Sequence, residues 1–326
     1  MSIFGRRFFC NWHKYMGALS STGRQLLDFA VYFVVRILIC LVQALPLRLG
    51  CRLASWAAWL AGDVFQIRGK VVEENLAYAF PALSREERKR LARKMWEHLF
   101  LMVLEIAHAP RKIHQTNWRE FVELNGVSGL VKLLLDKRPV LIVTGHLGNF
   151  EVGGYVLGLL GFPTHTIARP LDNPYLDRFV NRFRAATGQH IIPKNGSYER
   201  ILDVLARGQA MTFLADQYAG EKGCWVDFFG RPTSAHKAIA LLALENDALV
   251  AVCAARRKAG PMHFELENHT VFDPRSLADS PNAVPQLTQW YTHCLEEMIR
   301  QTPEQYWWLH RRWKGSPPKK RVKQAA

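Results

Sequence analysis

The amino-acid sequence predicts an α/β fold, with a mixed, mostly parallel central sheet flanked by helices and preceded by a hydrophobic N-terminal helix. Three β-rich runs are continuously apolar, as expected of strands buried on both faces, at residues 139–144, 211–216 and 248–256. Helical patterns lie between these runs, at residues 174–186, 198–206 and 235–244. This alternation of strands and helices is typical of a parallel or mixed sheet with helices on its faces.

The first long apolar segment is FAVYFVVRILICLVQAL, residues 29–45, which Pro46 ends. It is short for a membrane span, and Arg36 near its middle costs about 2.5 to 3.5 kcal/mol on insertion scales. Four cationic residues precede it and predict a cytoplasmic N-terminus: Arg6, Arg7, Lys14 and Arg24. No small-residue cleavage site follows. We expect membrane attachment, with a buried or interfacial helix as the alternative.

Two further helical segments complete the N-terminal third. Residues 53–62, LASWAAWLAG, carry Trp56 and Trp59, which suit either a membrane interface or an ordinary core. Farther on, Ser84 and Glu87 have the spacing of a capping box at the start of a basic and then apolar helix. Its charge run is typical of a solvated helix face.

The segment LIVTGHLGNFE, residues 141–151, places His146 five residues before Glu151 at the end of a predicted buried strand. Sites in open α/β sheets lie at the carboxyl ends of strands, and Asp216 also follows such an end. Gly145 and Gly148 permit a tight turn and close approach of a substrate. A histidine five residues before an acidic residue is expected about once by chance in this chain. The prediction of a site therefore rests on the location of His146 at the end of a predicted buried strand.

An imidazole followed by a carboxylate suits acyl transfer to a substrate hydroxyl. The imidazole takes the hydroxyl proton as the oxygen attacks an acyl carbonyl, while a carboxylate on the other ring nitrogen fixes the tautomer. No enzyme serine or cysteine is needed, and the chain has no GxSxG motif. A structural histidine hydrogen-bonded across a turn is the alternative.

Composition narrows the class of partner. The formal charge of +15 and pI near 9.8 favour an anionic partner, either nucleic acid, a membrane surface, an acidic protein or an acidic lipid. Six scattered cysteines without a C-x-x-C pair fit a reducing compartment. HExxH, P-loop and complete GxGxxG motifs are absent, which disfavours metalloproteases, P-loop NTPases and dinucleotide binding.

The ordered motifs resemble the bacterial lipid A biosynthesis (late) acyltransferases of the lysophospholipid/glycerolipid acyltransferase superfamily. Beyond GHLGNFE, the resemblance rests on five blocks: IARPLDNPYLDRFVNRFRAATG, IIPKNG, MTFLADQ, VDFFGRPTSAHKAIALLAL and TPEQYWWLHRRWK. They follow the family order from about residue 139 to residue 314, and VVEENLAYAFPALSREER is similar as well. Many glycerolipid acyltransferases carry Asp where this chain has Glu151, which favours the lipid A branch.

The resemblance implies a glycerolipid-acyltransferase-like fold and a His146–Glu151 catalytic dyad. It also implies a fatty acyl thioester donor, usually on acyl carrier protein, and no metal or other cofactor. Arg169 and Asp216 match family positions near the active site, where a guanidinium binds phosphate or developing charge and a carboxylate orients it. A structural Arg169–Asp216 ion pair is the alternative.

Further substrate-binding residues are predicted within the same blocks. Gly148 and Asn149 belong to the His146 motif. Arg231 and Ser234 lie in FFGRPTSAHKA, which we expect to form a loop and the start of a helix facing an anionic headgroup. The closing WWLHRRWK suits either lipid headgroups or an aromatic core beside a basic surface.

Together these features predict an acyltransferase at the cytoplasmic face of the bacterial inner membrane. Its partners are acyl carrier protein, a lipid A precursor or related glycolipid, and an anionic membrane surface. We expect a membrane-anchoring segment at 1–50, an acyltransferase domain at 51–314 and a disordered basic tail at 315–326. Alternatives are acylation of another glycolipid or phospholipid and, with no recognisable motif, nucleic-acid binding.

Overall fold

A computed structural model describes residues 21–193 and 196–317 of the chain. Arg6, Arg7, Lys14 and the last nine residues of the predicted tail lie outside the described residues. Among the described residues, four α-helices precede the first strand: α1 (Ser21–Ala44), α2 (Leu47–Trp59), α3 (Gly69–Ala79) and α4 (Arg85–Lys112). A π-helical turn, Leu60–Val64, continues α2.

Helix α1 confirms the predicted N-terminal apolar helix, extended at its start by eight residues, and none of its 24 residues is buried. It packs against the rest of the protein through a few side-chain contacts. The Phe29 and Tyr175 rings lie 5.5 Å apart, and the Arg36 guanidinium lies 4.6 Å from the centre of the Phe179 ring. The Gln43 amide donates to the carbonyl of Ala107 over 2.6 Å.

The predicted capping box begins α4. The Ser84 hydroxyl accepts a hydrogen bond from the Glu87 N–H, and the Glu87 carboxylate accepts one from the Ser84 N–H. Two orphan donors at the helix start are thereby satisfied. On α2, Trp56 and Trp59 are 59% and 44% exposed, so neither is a core residue of the protein.

The centre of the fold is a seven-stranded sheet of order β1-β9-β8-β2-β5-β3-β4. Its strands are β1 (Val122–Asn125), β2 (Val140–Thr144), β3 (Thr164–Ala168), β4 (Gln189–Pro193), β5 (Ala210–Leu214), β8 (Leu249–Arg257) and β9 (Phe264–Phe272). All neighbours are parallel except β8 and β9. The prediction of a mixed, mostly parallel sheet is confirmed.

Helices cover both faces of this sheet. They are α5 (Val127–Leu135), α6 (Phe150–Leu159), α7 (Pro174–Ala185), α8 (Tyr198–Ala206), α9 (Ala238–Glu245) and α10 (Ala283–Gln301).

Strand β2 occupies the middle of the sheet, and all five of its residues are buried. Leu141 and Val143 belong to the hydrophobic cluster on one face of the sheet, while Val140 and Ile142 belong to the cluster on the other. Successive side chains of a strand point to opposite faces, so both faces must be apolar here. This explains the continuous apolar pattern of the segment.

The prediction for FFGRPTSAHKA was wrong in part. Strands β6 (Cys224–Phe228) and β7 (Arg231–Ala235) form an antiparallel hairpin, and α9 begins at Ala238 rather than at residue 235. The two turn residues, Phe229 and Gly230, have φ angles of 54° and 69°. Positive φ at both central positions is the geometry that joins strands with a two-residue loop. Phenylalanine rarely adopts it, which hid the hairpin from sequence patterns.

Candidate active site

The turn that follows β2 is packed against two other segments. Gly148 has a φ of 64°, and a Cβ atom there would lie 2.0 Å from the carbonyl oxygen of Ala255 on β8. The Gly148 N–H donates to the carbonyl of Gln305 over 2.9 Å, and the Asn149 N–H donates to the carbonyl of Ala255 over 2.7 Å. Only glycine fits this position, because both its conformation and its surroundings exclude a side chain.

Asn149 links this turn to α6. Its side-chain oxygen accepts a hydrogen bond from the Val152 N–H, and its amide donates to Glu105 of α4 over 2.9 Å. Asn149 is fully buried, and neither it nor Gly148 lines the cavity described below. In the structure, Gly148 and Asn149 hold the turn that carries His146 in place. The substrate contacts expected of these two residues stay predictions.

A buried polar network lies beneath the turn. The carboxylate of Glu105 accepts two hydrogen bonds from the Arg257 guanidinium, and another Arg257 nitrogen donates to His98 Nδ1 over 2.8 Å. His98 Nε2 must then carry the proton, and it lies 3.2 Å from the carbonyl of Gly148. Burial and the nearby charge of Arg257 lower the pKa of His98 to about 3, so the ring is neutral at pH 7.

His146 is held by Asp216, which follows β5. The His146 Nδ1 atom lies 2.9 Å from Asp216 Oδ1, and the His146 backbone N–H donates to Asp216 Oδ2 over 3.0 Å. An ionised carboxylate only accepts hydrogen bonds, so Nδ1 carries the proton and Nε2 keeps its lone pair. The amide of Gln217 lies 3.4 Å from Nε2. This is the tautomer that a general base needs.

The charges around His146 favour its protonation. Burial by itself lowers the pKa of His146, but the charge and hydrogen bond of Asp216, aided by the charge of Glu151, raise it above its ordinary value. Burial opposes ionisation of Asp216 as well, yet the charge and hydrogen bonds of His146 hold the pKa of Asp216 well below its ordinary range. Asp216 therefore stabilises the charged form of the His146 ring.

Glu151 has a different partner from the one that the spacing suggested. Its carboxylate is bound on both oxygens by Arg184 of α7, with Nε 3.0 Å from Oε2 and Nη2 against Oε1. The carboxylate on the His146 ring is that of Asp216, because β2 and β5 are neighbours and end side by side. Glu151 acts on His146 through its charge in this geometry.

The buried side chain of Arg312 lies near Asp216. Arg312 is 2% exposed, and its guanidinium donates to the carbonyls of Gln217 and Ser234 over 2.9 and 2.7 Å. Burial lowers the pKa of Arg312, while its charge helps to keep Asp216 ionised. The buried Tyr306 hydroxyl also contacts Asp216, and burial raises the pKa of this phenol. Asp216 therefore sits between the imidazole and a fixed positive charge.

The residues of the closing WWLHRRWK segment lie in three environments: the buried core, the protein surface and the candidate site. Trp308 and Arg312 are buried, whereas Arg311 and Lys314 are exposed. Trp307 packs beside His146, with ring centres 5.0 Å apart.

The remaining predicted substrate-binding residues do not converge on His146. Arg169 is 79% exposed and pairs with Asp172, so the alternative of a structural Arg169–Asp216 ion pair is not formed. Arg231 lies over the Tyr78 ring at 3.9 Å. Ser234 is fully buried, and its hydroxyl donates to the carbonyl of Gly220. Of these three residues, only Arg169 lines the cavity.

Sequence patterns alone did not single out Arg184, Arg312 or the His98–Glu105–Arg257 network. Arg184 lies within the RFVNRFRAATG block, but an arginine on an amphipathic helix has no distinguishing spacing. Glu105 and Arg257 are 152 residues apart in the chain, so only the fold brings them together.

A largely apolar cavity of about 690 Å³ opens beside His146, between α6 and one face of the sheet. His146, Glu151 and Arg184 line it near the carboxyl end of β2, together with Trp307. Its walls come from α6 and from strands β2, β3, β4, β5, β8 and β9, with further residues from α5 and α9. The arrangement joins an imidazole that Asp216 orients to a space that accepts an apolar group.

Comparisons with known proteins agree with this chemistry. The sequence model of the family described as bacterial lipid A biosynthesis acyltransferase matches residues 20–315. The lipid A biosynthesis palmitoleoyltransferase of Escherichia coli (strain K12) is 26% identical over 279 residues, which cover 84% of this chain and 87% of that protein. The lipid A biosynthesis lauroyltransferase of the same strain is 26% identical over 276 residues, 83% of this chain and 85% of that protein.

Two more distant similarities were found. A lipid A biosynthesis acyltransferase of Haemophilus influenzae is 22% identical over 273 residues, which cover 82% of this chain and 83% of that protein. The crystal structure of the 1-acyl-sn-glycerophosphate acyltransferase PlsC from Thermotoga maritima aligns with 78% of this chain and 97% of its own, at 12% identity and a TM-score of 0.39. A structural similarity of that degree supports no argument about site or substrate.

Proposed function

Because the chain belongs to the bacterial lipid A biosynthesis acyltransferase family, and is thus an acyltransferase, we propose that it moves a fatty acyl group from an acyl-carrier-protein thioester to a hydroxyl of a lipid A precursor. The observation that carries the mechanism is the geometry of His146. Its Nδ1 is fixed by Asp216, and the ring lines an apolar cavity.

The proposed reaction begins when Nε2 of His146 accepts the proton of the acceptor hydroxyl. The hydroxyl oxygen attacks the thioester carbonyl, and the resulting imidazolium is stabilised by Asp216. The carbon–sulfur bond then breaks, the imidazolium returns its proton to the leaving sulfur, and an ester and the free carrier thiol remain. Neither a metal nor another cofactor takes part in these steps.

Glu151 remains in the proposed catalytic dyad with a role that differs from that of Asp216. It contributes negative charge near His146, and Arg184 holds it in place. The Glu151–Arg184 pair also lines the cavity, where its guanidinium is suited to a phosphate or to developing negative charge. Arg169 at the rim is exposed and offers a second cation to a phosphorylated acceptor.

Acyl carrier protein and lipid A precursors are both acidic, which suits a chain with a formal charge of +15. The choice of lipid A over another glycolipid or phospholipid rests on the family. We assign the acyltransferase domain to residues 51–314, the anchor to residues 1–50 and a basic tail to residues 315–326.

Membrane attachment through α1 is part of the proposal. The helix has 24 residues and a mean hydropathy of 2.1 in its most apolar window, and it is about 36 Å long at 1.5 Å per residue. That length is enough for a hydrocarbon core of about 30 Å. Exposed Trp56 and Trp59 on α2 add a second apolar surface. We place the enzyme at the cytoplasmic face of the bacterial inner membrane, where acyl carrier protein is available.

A mass-resolved assay tests the reaction and the acceptor together. The purified full-length protein receives acyl-carrier-protein thioesters and either a lipid A precursor bearing free 3-hydroxyacyl chains or glycerol 3-phosphate. We expect the precursor to gain one acyl group as an ester. Product formed only on glycerol 3-phosphate, or only on a control phospholipid, would overturn the acceptor and leave the acyl-transfer chemistry intact.

Membrane attachment is tested by a chain that begins at residue 47. We expect this variant to bind liposomes less tightly and to lose activity on embedded acceptor, because the apolar area of α1 is gone. Activity on detergent-dispersed acceptor serves as the control for folding. If the shortened protein remained as tightly bound as the full-length protein, α1 would not be the main anchor.

A further inference from the structure

The cavity beside His146 extends diagonally across the sheet. On one side of the carboxyl end of β2 it is lined by Val127 and Leu130 of α5, and on the other side it reaches Thr164 and Gln189, which are paired at the amino-terminal ends of β3 and β4. This path covers four residue steps along the strands, about 13 Å, and three strand spacings across the sheet, about 14 Å. An extended chain of more than about ten carbons fits such a path, since each C–C bond is about 1.5 Å long.

The far end of the cavity is closed by a close approach between α6 and the start of β4. A Cβ atom at Gly158 would lie 1.7 Å from the carbonyl oxygen of Thr187, so helix and turn are in direct contact there. One helical turn earlier, a Cβ atom at Gly154 would lie 2.4 Å from Nε2 of Gln189. The Gln189 side chain thus spans the remaining gap between the edge of the sheet and α6.

Gln189 is an unusual residue for the wall of an apolar cavity. It is only 6% exposed, and its amide nitrogen has no hydrogen-bond partner among the described residues. An acyl chain that reaches this amide would bury its methyl end against an unpaired polar group, which is unfavourable. The size and the polarity of the Gln189 side chain therefore both disfavour binding of acyl chains that extend past it.

We propose that Gln189 closes the acyl-binding end of the cavity and sets the longest acyl chain that the enzyme transfers. This proposal rests on the proposed function, because it assigns the cavity to the acyl group of the donor. Gln189 is a specificity-determining residue in this assignment and takes no part in proton transfer.

The test compares three variants of the full-length protein in a competition assay. Each receives an equimolar mixture of saturated acyl-carrier-protein thioesters of increasing even chain length, with one lipid A precursor, and the products are resolved by mass. Gln189→Ala opens the end of the cavity, Gln189→Leu keeps the side-chain volume without the amide, and Gly154→Ala pushes the Gln189 side chain away from α6.

We expect Gln189→Ala to raise transfer of the chain two carbons above the wild-type limit by about tenfold or more relative to the preferred chain, since one methylene in an apolar pocket is worth about that factor. Gln189→Leu should raise transfer of that chain less than Gln189→Ala does, because it removes the amide but keeps a bulky side chain, and Gly154→Ala should shift the preference to shorter chains. An active Gln189→Ala enzyme with the wild-type product distribution would overturn the proposal. So would an unchanged distribution in Gly154→Ala, which provides the test if Gln189→Ala does not fold.

Failure of the proposed function gives a different result. In that case the wild-type protein forms no acylated precursor with any chain in the mixture, whereas failure of the Gln189 assignment leaves acylation intact and only the chain-length distribution unchanged.

Discussion

Strand β2 and helix α1 are both continuous apolar segments, yet they occupy opposite environments. All five residues of β2 are buried between two hydrophobic clusters, whereas none of the 24 residues of α1 is buried. A strand in the middle of a parallel sheet has neighbours on both edges and helices on both faces, so it is fixed from every side. The comparison teaches that an apolar run predicts an element, while the fold decides what covers it.

This difference has a functional consequence. The buried strand leads into the turn that carries His146. Hydrogen bonds to the Ala255 carbonyl of β8 and to the Gln305 carbonyl hold this turn, and Asp216 orients the imidazole. The described residues leave the apolar surface of the helix exposed, and we propose that the membrane covers it. Five predictions test this difference between the buried strand and the exposed helix, beginning with the largest effect.

Replacing His146, which follows β2, should have the greatest effect on activity. We expect His146→Ala to lose about 10²- to 10⁴-fold or more in kcat, because it removes the proposed general base. The fold should persist, since His146 lies at the surface of the cavity rather than in the hydrophobic clusters. Single-turnover rates and circular dichroism measure the two quantities. Near-wild-type turnover by a folded His146→Ala protein would refute the mechanism.

The next prediction separates the two carboxylates near His146. Asp216→Asn should lower kcat by about 10²- to 10³-fold, because it removes the group that fixes the tautomer and stabilises the imidazolium. Glu151→Gln should cause a smaller loss, since it weakens a charge effect and the pairing with Arg184. Asp203→Asn on the exposed surface of α8 is the matched control and should have no effect.

The pH dependence distinguishes these roles further. Neutral imidazole is the active form, so activity falls as the pH drops through the raised pKa of His146. Asp216→Asn lowers that pKa, and the acid limb of kcat/KM should move to lower pH. A limb that moved in Glu151→Gln but stayed in place in Asp216→Asn would reverse the assignment of the two residues.

Stability measurements compare the buried strand with the exposed helix directly. Leu141 is fully buried and Leu38 is 54% exposed. Leu141→Ala should lower the free energy of unfolding by about 2 to 5 kcal/mol, because it leaves a cavity in the core. Leu38→Ala should change it by less than about 0.5 kcal/mol in detergent. Chemical denaturation of both variants gives the comparison, and equal losses would contradict it.

The smallest expected effect concerns the network beneath the His146 turn. Burial holds the folded-state pKa of His98 at about 3, below the ordinary value of 6.5. Between these values the unfolded chain binds a proton that the folded protein does not, so stability falls as the pH drops. His98 should account for about 2 kcal/mol of loss by pH 5.

The measurement compares unfolding at pH 7 and pH 5. His98→Gln should lose less stability over this interval than the wild-type protein does. His293→Gln is the control, because the His293 side chain is 63% exposed. An acid-dependent loss that was the same in His98→Gln and the wild-type protein would show that His98 does not cause it.

The sequence by itself determined the class of fold, the strand that carries the site and the position of His146. Continuous apolar runs, the capping box at Ser84 and the glycine at residue 148 are local signals, because each reflects backbone geometry or the burial of neighbouring residues. The ordered blocks determined the family in the same way.

Only the tertiary structure decided which groups meet. Asp216 reaches His146 because β5 pairs with β2, and Glu151 meets Arg184 because α6 and α7 pack on the same face of the sheet. Residues far apart in the chain have no spacing that predicts their contact. The β6–β7 turn and the closure of the cavity at Gln189 likewise depend on packing between elements, which a linear pattern does not encode.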